Sequence, residues 1–246
     1  MPGIKPDAVA ELLGDMRARL KAAGDPEFQA GLRWFFKEPV KPYGVRTPHI
    51  RELARLAYSQ VKRWPLRDRD RLVNEFWKSG MLEEGVLATH LYRRFAKSCN
   101  EREFAMFERW IDRYVTNWSN CDGLSTWLIA ACIENRPGLA GRLPAWTKSR
   151  NRWKRRAAAV SFIQEAKRGR QTETIFYICD LLLGDADDMV QKGVGWLLKE
   201  TYPQKPGETL EFLEPRRARA PRLVLRLASE KMTQRDRKFL LTLRDS

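Results

Sequence analysis

Along the chain, apolar residues recur three and four positions apart almost everywhere, and the alternation of two that marks a half-buried strand is nearly absent. The pattern predicts an all-α protein. Turn signals fall at regular intervals: AAGDPE near residue 25, KPYGVRTP near 45, KRWPLRD near 65, SGMLEE near 82, SNCDG near 121, NRPG near 136, SRNR near 150, KRGRQT near 170, LLGDAD near 185 and YPQKPGE near 205. Two of the intervening segments, each of roughly 12 to 18 residues, make a unit of about 35 to 45, the period of a HEAT or armadillo-type array. The expectation is a HEAT-like helical-repeat solenoid of about a dozen helices, an α-α superhelix with a concave groove. No Ser/Gly-rich linker divides residues 1–246, so a single domain is expected.

Three places depart from a plain core pattern. In DDMVQKGVGWLLKETYP, Val190, Val194 and Leu197 share one helical face, while Lys192, Trp196 and Lys199 share the opposite one. An indole between two ammonium groups is unusual on a face that should be polar; it either packs on a neighbouring repeat or is presented to a ligand. In SRNRWKRRAAAVSF, Arg150, Arg152, Lys154, Arg155 and Arg156 introduce a helix whose apolar side starts with Trp153, Ala157 and Val160. Such a cluster at a helix start can grip phosphate, or be a solvated basic end. The third place is TNWSNCDGLSTWL, residues 116–128. If the helix begins near Asn120, Asp122 is an N-cap; if it begins a turn earlier, Trp118 and Asp122 lie four apart on one face.

Charge narrows the choice of partner. The 246 residues hold 46 Lys plus Arg against 31 Asp plus Glu, a formal net charge of +15 spread over many segments, which describes a long basic surface suited to a polyanion, nucleic acid above all. The stretch MPGIKPDAVAELL has no signal-peptide core, and no run approaches the roughly 20 apolar residues that span a bilayer, so the reading is cytoplasmic with no membrane partner. Cys99, Cys121, Cys132 and Cys179 lack CxxC spacing, and the two histidines, His49 and His90, do not cluster with them, so neither a metal site nor His-based catalysis is expected.

These motifs together resemble the AlkD family of bacterial DNA alkylation repair proteins, DNA glycosylases built of HEAT-like repeats. The resemblance rests on YGVRTPHIRELA at 43–54, VTNWSNCDGLS at 115–125, NRWKRRAA at 151–158 and VQKGVGWLLKETY at 190–202, in an order that runs through most of the chain. It implies an active cleft of Trp118, Asp122, Arg156 and Trp196, with Arg155, Lys192, Lys199, Arg46, Thr47 and Phe35 as DNA contacts. It also implies excision of cationic 3-methyladenine and 7-methylguanine from duplex DNA by a monomer, with no cofactor and without the base extrusion usual for glycosylases. The bacterial cytoplasm and nucleoid are the implied location. The chain departs from the family pattern at Asn117, where a second aromatic is frequent, at Ser119, where an acidic residue can occur, and at Phe35, where a tyrosine can line the cleft. The alternatives are a non-catalytic binder of damaged or branched DNA with the same fold, and a scaffold for acidic proteins.

Overall fold

In the computed structural model, which describes residues 8–242, every regular element is helical, and the one β-type contact is an isolated parallel bridge between Lys41 and Met81. The Met1–Asp7 part of the N-terminal stretch lies outside the described residues. Packing divides the backbone into two compact units, Met1–Ser98 with Arg109–Gly123 and Cys99–Glu108 with Leu124–Ser246. The chain crosses between them at Ser98–Cys99, inside the helix Glu101–Arg113 and at Gly123–Leu124.

The first unit contains α1 (Ala8–Ala22), α2 (Pro26–Phe35), α3 (Thr47–Val61), α4 (Leu66–Lys78), α5 (Leu82–Tyr92), the end of α6 (Glu101–Arg113) and α7 (Trp118–Gly123). α5 is its centre, packing on α3, α4 and α7. Leu12, Met16, Ile50, Leu72, Phe76 and Leu87 fill the core with three- and four-residue spacing, which is why the helical period was legible.

Two adjacent carboxylates at the start of α5 organise this unit. Glu83, 1% exposed, accepts hydrogen bonds from the backbone N–H of Tyr43 (2.8 Å), Gly44 (2.8 Å) and Val45 (3.1 Å). Glu84, equally buried, accepts from both Nε and Nη2 of Arg17 and from the Tyr43 hydroxyl at 2.7 Å. Burial and the Glu84 hydrogen bond push the Tyr43 phenol well above its usual range, so it remains a donor. The loop before α3 is thus fixed from beneath. It in turn seats α2: the Asp25 N–H donates to the Gly44 carbonyl at 3.0 Å, and Gln29 Nε2 donates to the Pro42 carbonyl at 2.6 Å. Gly44 is irreplaceable there, because its φ is +87° and a Cβ would stand 2.4 Å from the Asp25 carbonyl oxygen.

The second unit contains α8 (Ala130–Asn135), α9 (Leu143–Trp146), α10 (Arg152–Val160), α11 (Ile163–Lys167), α12 (Thr172–Leu182), α13 (Asp188–Thr201), α14 (Pro206–Leu213), α15 (Arg222–Ala228) and α16 (Gln234–Leu241). α13 is the counterpart of α5, packed against α10, α11, α12 and α15. Its two glycines admit close neighbours on two sides: a Cβ at Gly193 would meet Arg156 Cγ at 3.3 Å, and one at Gly195 would meet Leu227 Cβ at 2.7 Å. The described residues form sixteen α-helices, more and shorter than the dozen expected, because Pro137, Gly138, Gly141 and Pro144 reduce residues 136–147 to a 3₁₀ segment and one helical turn. No helix among the described residues is long and apolar enough to cross a membrane.

The Glu83 carboxylate generates a stability prediction. Glu83→Ala strands three backbone donors and should lower the unfolding free energy by about 3 kcal/mol in urea titrations, whereas Glu83→Gln, which keeps one acceptor, should lose less. A loss within experimental error for Glu83→Ala would show that the loop holds itself.

Candidate functional site

Where α7 begins decides between the two readings of Asp122. The Asn117 side-chain oxygen accepts the Asn120 N–H at 2.9 Å and the Asn117 carbonyl accepts the Cys121 N–H, so Asn117 is the N-cap and the helix starts at Trp118. Asp122 therefore lies inside the helix, one turn after Trp118 and on the same face. The turn expected at SNCDG is helical instead, because Asn117 starts the helix before the Asp-Gly pair is reached. Asn117, one of the departures from the family pattern, has this local reason to be asparagine.

α7 sits unusually close to α5. A Cβ on Gly85 would stand 2.6 Å from the Asn120 amide nitrogen, and the Thr89 methyl lies 3.6 Å from where a Gly123 Cβ would be. Gly85 and Thr89 thus oppose Asn120 and Gly123, fixing the rotation of the short helix that carries Trp118 and Asp122. Immediately afterwards the helix widens into a π turn, Leu124–Ile129, before α8 resumes. π turns mark interruptions of regular helix and concentrate at functional sites.

Trp118 and Asp122 are both half-buried. The Trp118 indole stacks on Phe36 at 5.2 Å between ring centroids with an interplanar angle of 18°, and Phe35 meets it edge-on at 5.9 Å. Beside these rings is a cavity of about 150 Å³ lined by Phe28, Leu32, Phe35, Phe36, Val45, Thr47, Ile50, Leu82, Glu83, Val86, Trp118 and Ser119. The structure thus brings Trp118, Phe35 and Thr47 together, while Arg46 covers the neighbouring Phe28 ring at 4.5 Å. Both Glu83 oxygens face the loop N–H groups, so the lining offers little to read the edge of an extruded base.

The remaining predicted residues lie in the second unit. On α13 the wheel holds: Val190, Val194 and Leu197 are buried, and Lys192, Trp196 and Lys199 form the half-buried face. Lys192 pairs with Asp188 at 3.0 Å and Lys199 with Glu230 at 2.9 Å. The arginine cluster is more internal than its sequence suggests. Arg155 reaches Asp185 with two nitrogens, at 2.6 and 3.1 Å, and this hydrogen bonding holds its guanidinium above the usual value. Arg152 pairs with Asp187 and Lys154 with Glu108. Arg156 is 6% exposed and donates to the Met189 carbonyl of α13. Sequence reasoning missed these acidic partners: Asp185 and Asp187 lie some thirty residues away in LLGDADD, and Glu108 lies on the helix Glu101–Arg113. Of the histidines, His49 stands 3.5 Å from Glu52, and His90 is held below its usual pKa by burial and by Arg51, Arg93 and Arg94.

Comparison with known proteins identifies the family and the fold. Residues 16–232 match the family described as DNA alkylation repair enzyme. Among solved structures, a protein from Enterococcus faecalis described as a predicted DNA alkylation repair enzyme superposes with a TM-score of 0.77 at 15% identity, covering 86% of this chain and 97% of that one. The protein smu.31 from Streptococcus mutans UA159 superposes with a TM-score of 0.62 at 17% identity, covering 90% and 100%. No curated protein matches the chain. The chain belongs to the DNA alkylation repair enzyme family, and the two structures share its all-α fold.

The capping role of Asn117 can be measured. Asn117→Ala should cost about 1 kcal/mol in chemical unfolding, and Asn117→Asp should retain most of the stability because it still accepts the Asn120 N–H. Equal losses for both variants would mean that burial of the amide, not its acceptor, matters.

Proposed function

We propose that this chain is a DNA glycosylase that hydrolyses the N-glycosidic bond of cationic alkylated purines, 3-methyladenine and 7-methylguanine, in duplex DNA. The observation that carries the reading is the i, i+4 placement of Trp118 and Asp122 on a helix whose cap is supplied by Asn117. Family membership points the chemistry at alkylated DNA, and the net charge of +15 suits a duplex partner.

Alkylation at a ring nitrogen leaves the base positively charged, so it departs with the electron pair of the C1′–N bond and becomes neutral without a protonating acid. The costly element is the oxocarbenium character on the deoxyribose. The Asp122 carboxylate stabilises that charge and orients the water whose hydroxyl adds to C1′, the water's proton passing to the carboxylate or to solvent. Trp118 presents an indole face, rich in electrons, to the cationic nucleotide, and Trp196 offers a second indole to the DNA. Phe36 stacks on Trp118 and Phe35 meets it edge-on, which holds the half-buried indole in place. Lys192 and Lys199 bind phosphate: each now holds a surface carboxylate, and such pairs contribute only about 0 to 1 kcal/mol, so exchange for phosphate is easy. Arg46 and Thr47, at the start of α3, contribute another backbone contact. Arg156 acts through α13, holding the Met189 carbonyl at the start of the helix that bears Lys192 and Trp196, and Arg155, engaged by Asp185, supports the same end. In this reading the protein works as a monomer without cofactor.

Asp122→Asn should reduce single-turnover release of 7-methylguanine by roughly a hundredfold or more, with duplex affinity nearly unchanged, because the lost charge matters as the sugar becomes cationic. Wild-type release by this variant would remove Asp122 from the mechanism. Lesion choice offers an independent check: 3-methyladenine and 7-methylguanine should be excised, while uracil and hypoxanthine, which are neutral leaving groups, should persist. Tight binding with no release from any lesion would instead establish a binding-only protein. Neutralising about four phosphates should also lower duplex affinity roughly a hundredfold between 50 and 200 mM salt, and a flat titration would point to another partner.

A further inference from the structure

The last turn of α2 carries two consecutive aromatic side chains that the fold leaves largely in water. Trp34 is 88% exposed and Phe35 60%. A tryptophan ordinarily buries on the order of 200 Å² in a folded protein, so an indole left almost wholly in solvent calls for a ligand. The apolar stripe of α2 does not account for it. Phe28, Leu32, Phe35 and Phe36 line the cavity, whereas Trp34 is not among its lining residues and, at 100° per residue, projects about 160° away from Leu32 and Phe36.

What surrounds Trp34 specifies the ligand. Arg33 and Lys37 flank the pair in sequence and are exposed. Phe35 touches the Trp118 indole edge-on at 5.9 Å, so the exposed aromatics adjoin the residue assigned above to the lesion nucleotide. A flat apolar ring with a cationic rim complements a base step and its phosphates, whereas another basic protein surface or a second copy of this +15 chain would be repelled by the same rim.

We propose that Trp34 is a wedge that enters the base stack beside the lesion, with Phe35 as its footing against Trp118. This inference rests on the reading of the chain as acting on alkylated duplex DNA. It supplies a step that reading leaves open. A protein that does not draw the base into a pocket must still expose C1′ to water and to a carboxylate, and partial unstacking of one step by an apolar side chain kinks the duplex and opens that path. Stacking of the displaced base on the indole offsets the unstacking.

The test uses duplexes carrying 2-aminopurine next to a tetrahydrofuran abasic analogue, whose fluorescence rises when the base unstacks, together with single-turnover release of 7-methylguanine. Wild-type protein at saturation should raise the fluorescence. Trp34→Ala should abolish the rise and slow release on the order of tenfold, with an unchanged melting temperature and an unchanged salt slope, while Trp34→Phe should restore part of both signals. Trp34→Ala indistinguishable from wild type in fluorescence and release would overturn the wedge. So would a variant whose only change is in self-association by sedimentation, since the aromatic pair would then be a contact between copies. The two readings fail separately: a wild type that releases no base but gives a fluorescence rise dependent on Trp34 would sink the glycosylase and leave the wedge standing.

Discussion

Three consecutive backbone N–H groups converge on the buried carboxylate of Glu83, and the first unit is arranged around that convergence. A loop with a positive-φ glycine has no helix or sheet to satisfy its donors, so burying it costs free energy unless an acceptor is brought to it. Glu83 is that acceptor, and its neighbour Glu84 locks onto Arg17 of α1. The loop then caps one side of α2 and begins α3, so that α1, α2, α3 and α5 are all referred to one pair of carboxylates. The same α5, two and six residues after Glu83, brings Gly85 and Thr89 against α7. The placement of Trp118 and Asp122 is therefore a downstream result of how the loop between α2 and α3 meets its hydrogen-bonding requirement.

The second unit solves a different problem. Its central helix α13 must be covered on two sides and still present one face bearing an indole and two lysines. Small residues at 193 and 195 let α10 and α15 approach the backbone itself, which leaves the Trp196 face as the uncrowded one. Arg155 and Arg152 of α10 are held by Asp185 and Asp187 just before α13, and the Asp187 side chain also caps that helix. Charge that reads as a phosphate site in sequence also joins two helices.

Much of this was legible in the amino-acid pattern and some was not, for reasons of range. Helical period survives in the sequence because burial repeats every three to four residues, and the α13 face was read correctly from that period alone. The family was legible because its motifs are dispersed but ordered. The start of α7 was ambiguous because Asn117, Asn120 and Asp122 are all competent caps, and only the packing of α7 on α5 selects the first. The long-range ion pairs were illegible because they join residues thirty or more positions apart, as with Arg155 and Asp185 or Arg17 and Glu84. The many short helices of residues 118–147 blurred the expected spacing, since a π turn adds a residue to the period that the eye follows.

The chain contains nine tryptophans, and among the described residues only Trp34 is largely solvated; the others are buried or half-buried. An indole in water emits at longer wavelength than one in a core, so the red edge of the protein's intrinsic fluorescence belongs mainly to a single side chain. The molecule therefore carries an optical reporter at one defined point of its surface, and contact at that point can be followed without a label.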